Sequence, residues 1–401
     1  MEPVAGVRQA RGRMSTVMIS CGEASGDLYA GALATELRQR DPACRIIGLG
    51  GDRMRAAGAS LTADYRGLAV TGLTEALRVL PRSYGVYRRL VAVARAERPD
   101  VFVAVDFPDF NFRVAAAMRR LGVPVVYYVS PQLWAWRPGR IRAMARFASR
   151  VLVIFPFEVE LYERAGIPVE FVGHPLIDLI HVTASREALL TGLGLSGTAP
   201  TLAVLPGSRL NELNAIVPVL AAALPLIATC VPRLQVIVAR APNLPDEPFE
   251  ALEKQSVPLA IAEERTDDVL GAADVVVTAS GTATVQTALH EKPMVIVYRV
   301  SPLTFRLGRR FVRVNTFGMA NLVAGRRIVP ELIQDDFTPD RVASEAVRLL
   351  TDPVAAGAMR RDLAAVRARL GEPGASGRAA DAVLATMRAG DPHMNLSEGE
   401  R

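Results

Sequence analysis

The sequence predicts an α/β fold in which two Rossmann-like halves, each built on an open parallel sheet, face each other across a cleft. Short, almost continuously apolar runs alternate with helical patterns along the chain, as expected of parallel strands that are covered on both faces. This alternation comes in two series, separated by a Gly-, Ser-, Thr- and Pro-rich stretch at residues 192–200. In each series a turn of small residues follows an apolar run, at the position where such sheets bind ligands.

The first series lies N-terminal to that stretch. It predicts strands at residues 17–20, 45–49, 101–105, 125–129, 151–154 and 170–172. Helical patterns separate them, at residues 27–40, 82–96, 112–121, 137–147 and 158–165. Because strand, helix and strand follow one another in this way, the strands are expected to form one parallel sheet.

The second series repeats the same organisation. It predicts strands at residues 201–205, 235–239, 259–262, 274–277 and 294–298. Its helical patterns lie at residues 210–229, 266–272 and 283–290, and the chain is helical after Pro339. The last pattern, at residues 377–388, is long enough to pack back on the first half. We therefore place an N-terminal domain at 15–188, a C-terminal domain at 189–365 and returning helices at 366–390.

The bulk composition is that of a globular protein with two domains. At 401 residues the chain is long for one hydrophobic core, and 22% of its residues are charged. We expect no membrane span, because no apolar run approaches about 18 residues. Three cysteines without paired spacing favour a reducing cytoplasm. Four histidines are dispersed without the spacing of metal ligands, so we predict no bound metal, and we expect no cofactor. Basic and aromatic residues are not interleaved, so we expect no nucleic acid partner.

A carboxylate and two glycines follow the first predicted strand. Gly22 and Gly26 permit a tight turn and the close approach of a ligand. Glu23 is expected at the carboxyl end of the strand, where open α/β sheets bind ligands, and this favours a functional role. Two roles are open for Ser25 and Asp27, since either can cap the following helix or line the site.

Three polar side chains follow the apolar strand at residues 101–105. They are Asp106, Asp109 and Asn111. A carboxylate at the end of a buried strand can accept a proton from a substrate hydroxyl, and we favour Asp106 as this general base. Capping of the helix that begins near residue 112 is the alternative role of Asp109 and Asn111.

An arginine follows the first strand of the second series, in the turn Gly207-Ser208-Arg209. A guanidinium group there can bind a diphosphate through two parallel hydrogen bonds. The alternative is a surface ion pair with Glu212, three residues further on, which is worth under about 1 kcal/mol.

A second turn of small residues, which contains Ser280, Gly281 and Thr282, is expected opposite Arg209. Its N–H groups and hydroxyls begin a helix, whose N-terminus favours an anion by only about 0.3–1 kcal/mol when exposed. Neither turn is a P-loop, since no Gly-Lys-Ser/Thr follows.

Two further features have an apolar character. Trp134 and Trp136 form either a core aromatic pair or a platform on which a sugar stacks. Arginines mix with apolar residues at residues 77–90 and 305–314. Either stretch can lie on an anionic membrane surface or be an ordinary solvated helix face.

These segments together resemble the lipid-A-disaccharide synthase family, glycosyltransferase family 19, over residues 15–388. The resemblance is specific because several ordered motifs occur in one chain. They lie at residues 22–27, 105–111, 127–138, 155–158, 171–175, 205–209, 279–284 and 298–331.

The resemblance implies a two-domain glycosyltransferase B (GT-B) fold and a role in lipid A biosynthesis in Gram-negative bacteria. It implies that UDP-2,3-diacylglucosamine is the donor and 2,3-diacylglucosamine 1-phosphate the acceptor. The products are then the β-1,6-linked disaccharide 1-phosphate and UDP. Peripheral attachment to the inner face of the inner membrane also follows, and a homodimer is allowed but not required.

The resemblance also implies roles for individual residues. Asp106 matches the proposed base, and Glu23 matches a glutamate that is important for activity. We assign the donor site to Gly207, Ser208, Arg209, Ser280, Gly281, Thr282, Gln286 and Asn321. We assign the acceptor site to Ser25, Asp109, Asn111 and Trp134.

The chain departs from the family pattern at two places. Gln286 replaces a glutamate that holds ribose hydroxyls in many sugar-nucleotide transferases, and Met319-Ala320 replaces Leu-Pro, which is expected to loosen the loop before Asn321. Two other classes of function share a twin-domain cleft. One is a UDP-sugar 2-epimerase, which would form no disaccharide, and the other is a non-catalytic nucleotide-sugar-binding protein.

Overall fold

The computed structural model describes residues 14–68, 73–131, 139–242, 244–299, 316 and 318–389. Within these residues the strands form two parallel sheets, one of seven strands and one of six. Helices cover both faces of each sheet, and this confirms the predicted α/β class with two Rossmann-like halves.

The first sheet has the strand order β3-β2-β1-β4-β5-β6-β7. Its strands are β1 (Thr16–Ser20), β2 (Arg45–Gly50), β3 (Ser60–Asp64), β4 (Val101–Val105), β5 (Val125–Tyr128), β6 (Arg150–Val153) and β7 (Val169–Phe171). Its helices are α1 (Ala24–Arg40), α2 (Asp52–Ala56), α3 (Leu73–Glu97), α4 (Pro108–Arg120), α5 (Arg140–Met144), α6 (Val159–Glu163) and α7 (Leu176–Leu179). The chain reverses its direction of progress between β1 and β4, which opens a crevice at their carboxyl ends.

The second sheet has the order β10-β9-β8-β11-β12-β13. Its strands are β8 (Thr201–Leu205), β9 (Gln235–Arg240), β10 (Leu259–Glu263), β11 (Val275–Ala279), β12 (Met294–Tyr298) and β13 (Glu331–Ile333). The helices after α7 are α8 (Arg186–Gly192), α9 (Leu210–Cys230), α10 (Glu250–Glu253), α11 (Thr266–Ala272), α12 (Thr282–Leu289), α13 (Met319–Ala324), α14 (Pro339–Thr351), α15 (Pro353–Arg369) and α16 (Ala375–Ala389). The corresponding reversal lies between β8 and β11.

Helix α9 corrects the expectation that no apolar run approaches the length of a membrane span. By length and composition alone this helix is long and apolar enough to cross a membrane. A core helix passes the same test, and α9 packs on α14 through a buried face that includes Leu213, Ile216 and Leu220. About half of its apolar window (44%) is buried inside the domain.

The last helix returns to the first domain, where α16 packs against α1. The Arg40 guanidinium donates to the Asp381 carboxylate across this contact at 2.6 Å. The Arg378 side chain donates to the carbonyl of Val172 at 2.8 Å. Helix α15 continues past residue 365, so the chain turns back between α15 and α16 at residues 370–374.

Candidate active site at the facing sheet edges

Four turns meet where the carboxyl ends of the two sheets face each other. They follow β1, β4, β8 and β11, the strands that flank the two reversal points. The Arg209 side chain of the second domain donates from Nη2 to Glu23 Oε2 of the first domain at 2.6 Å. A second contact across the cleft brings the Tyr29 hydroxyl next to the Thr282 side chain. The predicted cleft between the two halves is therefore confirmed.

Of the two contacts considered for Arg209 from the sequence, the structure shows the ion pair with Glu212. Arg209 Nη1 donates to Glu212 Oε1 at 3.2 Å, in addition to the bond with Glu23. Glu212 also accepts the Ser208 N–H at 3.2 Å and so fixes the turn. Gly207 has a φ of 121°, and a Cβ there would lie 2.7 Å from Glu212, which explains why glycine occupies this position. The guanidinium group is thus held in the cleft and only partly exposed.

Glu23 is free to reach across because it does not cap its own helix. It is the N-cap residue of α1, but its side chain makes no cap hydrogen bond. Gly22 precedes it and lies directly under the ring of Phe107, so closely that a Cβ on Gly22 would be 2.1 Å from that ring. This contact brings the turn after β1 against the turn after β4.

Asp106 lies half-buried at the end of β4 in an unusual backbone conformation. Asp106 and Phe107 both have left-handed φ angles, 45° and 50°. Two bonds to the Asp106 carbonyl hold this turn, one from the Asn111 amide and one from the Tyr127 hydroxyl, each at 2.8 Å. Consecutive non-glycine residues in this region persist only where the surroundings over-determine them, and such sites are commonly functional.

The Asp106 carboxyl group has the electrostatics of a general base. Burial is the largest cause that raises its pKa, and the negative charge of Glu23 is the second. The Phe107 N–H and the charge of Arg209 act in the opposite direction, and the pKa rises from 3.8 to about 7. A base with a pKa near the working pH combines a useful ionised fraction with a strong tendency to take up a proton.

Asn111 supports this turn rather than facing the cleft. Its side chain is fully buried, and Nδ2 donates to the carbonyls of Ser20 and Asp106 at 3.0 and 2.8 Å. Its Oδ1 accepts from Ser20 Oγ at 2.6 Å. The predicted contact with the acceptor is therefore corrected, because every polar atom of the amide already binds the ends of β1 and β4. Capping of α4 is not its role either, since the N-cap residue of α4 is Phe107.

We expect Asn111→Ala to lower the free energy of unfolding by about 3 kcal/mol, because several buried partners lose their hydrogen bonds at once. Urea denaturation measures this change. Asn214→Ala, at an exposed position of α9, is the matched control and should stay within about 0.5 kcal/mol of the parent. Equal losses in the two variants would contradict the supporting role of Asn111.

The other predicted residues of the first domain have different positions. Asp109 is exposed in the first turn of α4 and forms an ion pair with Arg140. Ser25 is half-buried in the first turn of α1. Asp27 caps α2 rather than its own helix, since it accepts the N–H groups of Gly51, Arg53 and Met54 at 2.7, 2.9 and 3.3 Å. Trp134 and residues 305–314 lie outside the described residues.

Of the residues predicted for the donor site, Gly281 and Thr282 lie exposed where α12 begins, and Ser280 is half-buried beside them. Gln286 is one turn further along α12. Its Nε2 donates to Asp267 Oδ1 at 2.7 Å, so the neutral amide has a carboxylate as its neighbour. His290 contacts the same oxygen at 2.9 Å.

Asn321 has a structural role, and its predicted contact with the donor is corrected. The side chain is buried, and its amide donates to Glu331 Oε1 at 2.7 Å while its carbonyl accepts the N–H groups of Ile328 and Val329 at 2.7 and 2.9 Å. The loop that Met319 and Ala320 were expected to loosen is instead the start of α13. Among the described residues, no cluster of three or more His, Cys, Asp or Glu side chains could hold a metal ion.

Sequence reasoning missed three residues of this site. Tyr29 lies inside the cleft near Asp106, Tyr127 holds the carbonyl of Asp106, and Glu212 fixes both Arg209 and its turn. Glu212 has a signal, its spacing of three residues from Arg209, although that spacing by itself predicts only a surface ion pair. The two tyrosines sit in apolar patterns that predict only core positions.

A family model and curated relatives of this chain point to the same protein family. The family model described as lipid-A-disaccharide synthetase matches residues 17–382. The lipid-A-disaccharide synthase of Geobacter metallireducens is 43% identical over 369 residues, covering 92% of this chain and 96% of the relative. That of Myxococcus xanthus is 42% identical over 375 residues, with coverages of 93% and 98%.

Solved structures share the architecture at much lower identity. The glycotransferase of kitacinnamycin has a TM-score of 0.65 and 20% identity, covering 94% of this chain and all of the other. The UDP-GlcNAc 2-epimerase of Neisseria meningitidis, solved with UDP-GlcNAc bound, has a TM-score of 0.66 and 12% identity, with coverages of 92% and 100%. These identities bear on the fold alone, which is the GT-B fold.

Proposed function

This chain belongs to the lipid-A-disaccharide synthase family, and on that premise we propose that it joins UDP-2,3-diacylglucosamine to 2,3-diacylglucosamine 1-phosphate. Membership makes it a glycosyltransferase of lipid A biosynthesis. The proposed products are the β-1,6-linked disaccharide 1-phosphate and UDP. The observation that supports the proposal is the contact of Arg209 with Glu23 across the cleft, because it brings the cation to which we assign the diphosphate near Asp106.

The proposed reaction is a single displacement at the anomeric carbon of the donor. The acceptor 6-hydroxyl oxygen attacks this carbon while its proton moves to the Asp106 carboxylate. The bond from the anomeric carbon to the β-phosphate oxygen breaks, and UDP leaves with both electrons of that bond. Attack opposite the leaving group inverts the configuration and gives the β linkage. A positioned base contributes about 10²–10⁴ in rate to such a step.

The negative charge that develops on UDP requires a positive partner in the cleft. We assign this role to Arg209, whose hydrogen bonds to an anion are worth about 1.5–3 kcal/mol each. The N–H groups at the start of α12 add a smaller contribution at the same place. Because the Arg209 guanidinium pairs with Glu23, donor binding exchanges one anion for another at Arg209.

An assay of product formation tests the proposed function. Purified protein is mixed with UDP-2,3-diacylglucosamine and 2,3-diacylglucosamine 1-phosphate, and disaccharide and UDP are measured. Formation of both in equal amounts is expected. A UDP-sugar 2-epimerase would convert the donor without the acceptor, and a binding protein would form neither product, so each of these outcomes would refute the proposal.

The pH dependence of kcat/KM should follow Asp106. The base must be ionised, so activity is expected to rise with pH through a midpoint near 7 rather than near the usual value of an aspartate. Glu23 contributes to the raised pKa, and Glu23→Gln should therefore move the midpoint to lower pH. Burial, the larger cause, stays in place, so only part of the shift should disappear. A midpoint that does not respond to Glu23→Gln would contradict the coupling of the two carboxylates.

We also propose that the protein attaches to the inner face of the inner membrane through α3. Leu80 and Tyr84 are exposed on one face of this helix, and Arg88, four residues after Tyr84, is exposed on the same face, which suits an anionic lipid surface.

Sedimentation with phosphatidylglycerol vesicles measures this attachment. Leu80→Glu should lower the bound fraction about ten-fold, since burial of one leucine is lost and a negative charge is added. Leu226→Glu, at an exposed leucine of α9, is the matched control and should bind as the parent does. Equal binding of all three proteins would show that α3 is not the attachment surface.

A further inference from the structure

A groove of about 420 Å³ lies between α3 and α4, outside the site described above. Aromatic rings form its walls, with Tyr84 and Tyr87 on α3 and Phe110 and Phe112 on α4. Tyr84 and Tyr87 stack at a centroid distance of 6.2 Å, although Tyr84 remains 61% exposed. An open groove with aromatic walls is typical of a binding site for an apolar group.

One wall of the groove is linked to the candidate base by two stacked rings. Phe110 stacks on Phe107 at a centroid distance of 5.5 Å. Phe107 directly follows Asp106 and packs on Gly22, the residue before Glu23. Two stacked rings therefore connect the wall of the groove to the turn that carries Asp106, on the domain that holds both carboxylates.

The rim of the groove is positively charged. Arg113 and Arg120 line it from α4, and both are exposed. The nearby carboxylate of Asp109 already pairs with Arg140. Apolar walls and two rim cations together are complementary to an amphiphile with an acyl chain and an anionic group.

We propose that this groove binds an acyl chain of the acceptor, with Arg113 and Arg120 attracting the acceptor phosphate. The assignment to the acceptor rather than the donor follows from position, because the groove belongs to the domain of Asp106, whereas Arg209 and α12 belong to the other. This proposal rests on the proposed function for the identity of the acceptor. On this proposal the groove determines the selectivity of the enzyme for the length of the acyl chain.

The test measures binding rather than turnover, so its result does not depend on whether disaccharide forms. Dissociation constants are measured for 2,3-diacylglucosamine 1-phosphate with long and with short acyl chains. For the parent protein, affinity should rise about four-fold for each methylene that the groove buries. Ala116→Phe fills the groove from α4, where Ala116 lines it half-buried. This variant should weaken binding of the long-chain acceptor at least about ten-fold and leave short-chain binding and UDP binding unchanged.

Ala92→Phe is the matched control, at an exposed alanine of α3 that does not line the groove. It should bind both acceptors as the parent does. The proposal would be overturned if the two substitutions had equal effects on acceptor binding. It would also be overturned if the ratio of the long-chain to the short-chain dissociation constant were the same in Ala116→Phe as in the parent. Loss of vesicle binding in Ala116→Phe without any change in acceptor affinity would also overturn it, since the occupant would then be a membrane lipid.

The rim arginines allow an independent test. The double substitution Arg113→Gln and Arg120→Gln should weaken binding of the phosphorylated acceptor about ten-fold and leave binding of the dephosphorylated sugar unchanged. Equal effects on the two ligands would overturn the assignment of the phosphate. A parent protein that binds the acceptor in the groove but forms no disaccharide would refute the proposed function alone.

Discussion

Asp106→Asn is expected to lower kcat by about 10²–10⁴-fold and to leave the dissociation constant of UDP unchanged. The amide has almost the shape of the carboxyl group, but it cannot accept the proton of the acceptor hydroxyl. The turn itself should persist, because Asn111 and Tyr127 bind the backbone carbonyl of Asp106 rather than its side chain. Steady-state kinetics and calorimetric titration with UDP give the two measurements.

Asp381→Asn is the control for this substitution, since it makes the same chemical change outside the candidate site. Asp381 is exposed on α16 and pairs with Arg40, so we expect turnover within a few-fold of the parent. Near-normal turnover by Asp106→Asn would show that another group is the base, and Glu23 would be the next to test.

Arg209→Gln is expected to raise the dissociation constant of UDP by about 10- to 100-fold, the loss of one charged hydrogen bond to the diphosphate. Turnover should fall as well, because the same cation meets the charge that develops on the leaving group. Calorimetric titration with UDP measures the first effect, and initial rates at saturating donor measure the second.

Two further variants make this prediction specific. Arg348→Gln removes an arginine with the same spacing to its glutamate partner, Glu345, but on α14, and UDP should bind it as it binds the parent. Glu23→Gln should tighten UDP binding by up to about five-fold, because the diphosphate no longer competes with a carboxylate for Arg209. Weaker UDP binding in Glu23→Gln would contradict the exchange of anions at Arg209.

Much of the fold could be predicted because buried parallel strands have a clear signature. The apolar runs at β1, β4, β8 and β11 are completely buried, and the turns after them carry the polar residues of the site. Two edge strands were missed. Strand β3 is half-exposed and reads Ser-Leu-Thr-Ala-Asp, and β13 has only three residues, so neither shows an apolar run.

The start of α3 was also predicted wrongly, for a local reason. The pattern placed a helix from residue 82, directly after Pro81, but the helix begins at Leu73 and contains Pro81 in its interior. A proline is a probable helix boundary and not a certain one.

Within the site, the sequence identified the residue types but not which of them face the cleft. Glu23, Asp106 and Arg209 follow reversal-point strands, and topology alone brings them together. Asn111 and Asn321 follow the same kind of pattern, yet both amides are buried and fully hydrogen-bonded. The difference depends on long-range partners such as Ser20 and Glu331, which no local pattern reveals.

Gln286 also has a long-range partner that the local sequence pattern does not reveal. From the sequence, its replacement of a glutamate removes a negative charge from the donor side. In the structure Gln286 Nε2 donates to Asp267 Oδ1 at 2.7 Å, so a carboxylate lies beside this position. Asp267 is 19 residues away in sequence, and only the packing of α11 against α12 brings it there.

A crystal structure of the protein with UDP bound tests the central claim most directly, namely that the two sheet edges form one site. We predict diphosphate oxygens within about 3.2 Å of the Arg209 guanidinium and at the start of α12, with the Arg209–Glu23 bond broken and Asp106 facing the same cleft. A diphosphate bound elsewhere, with Arg209 still paired to Glu23, would contradict it.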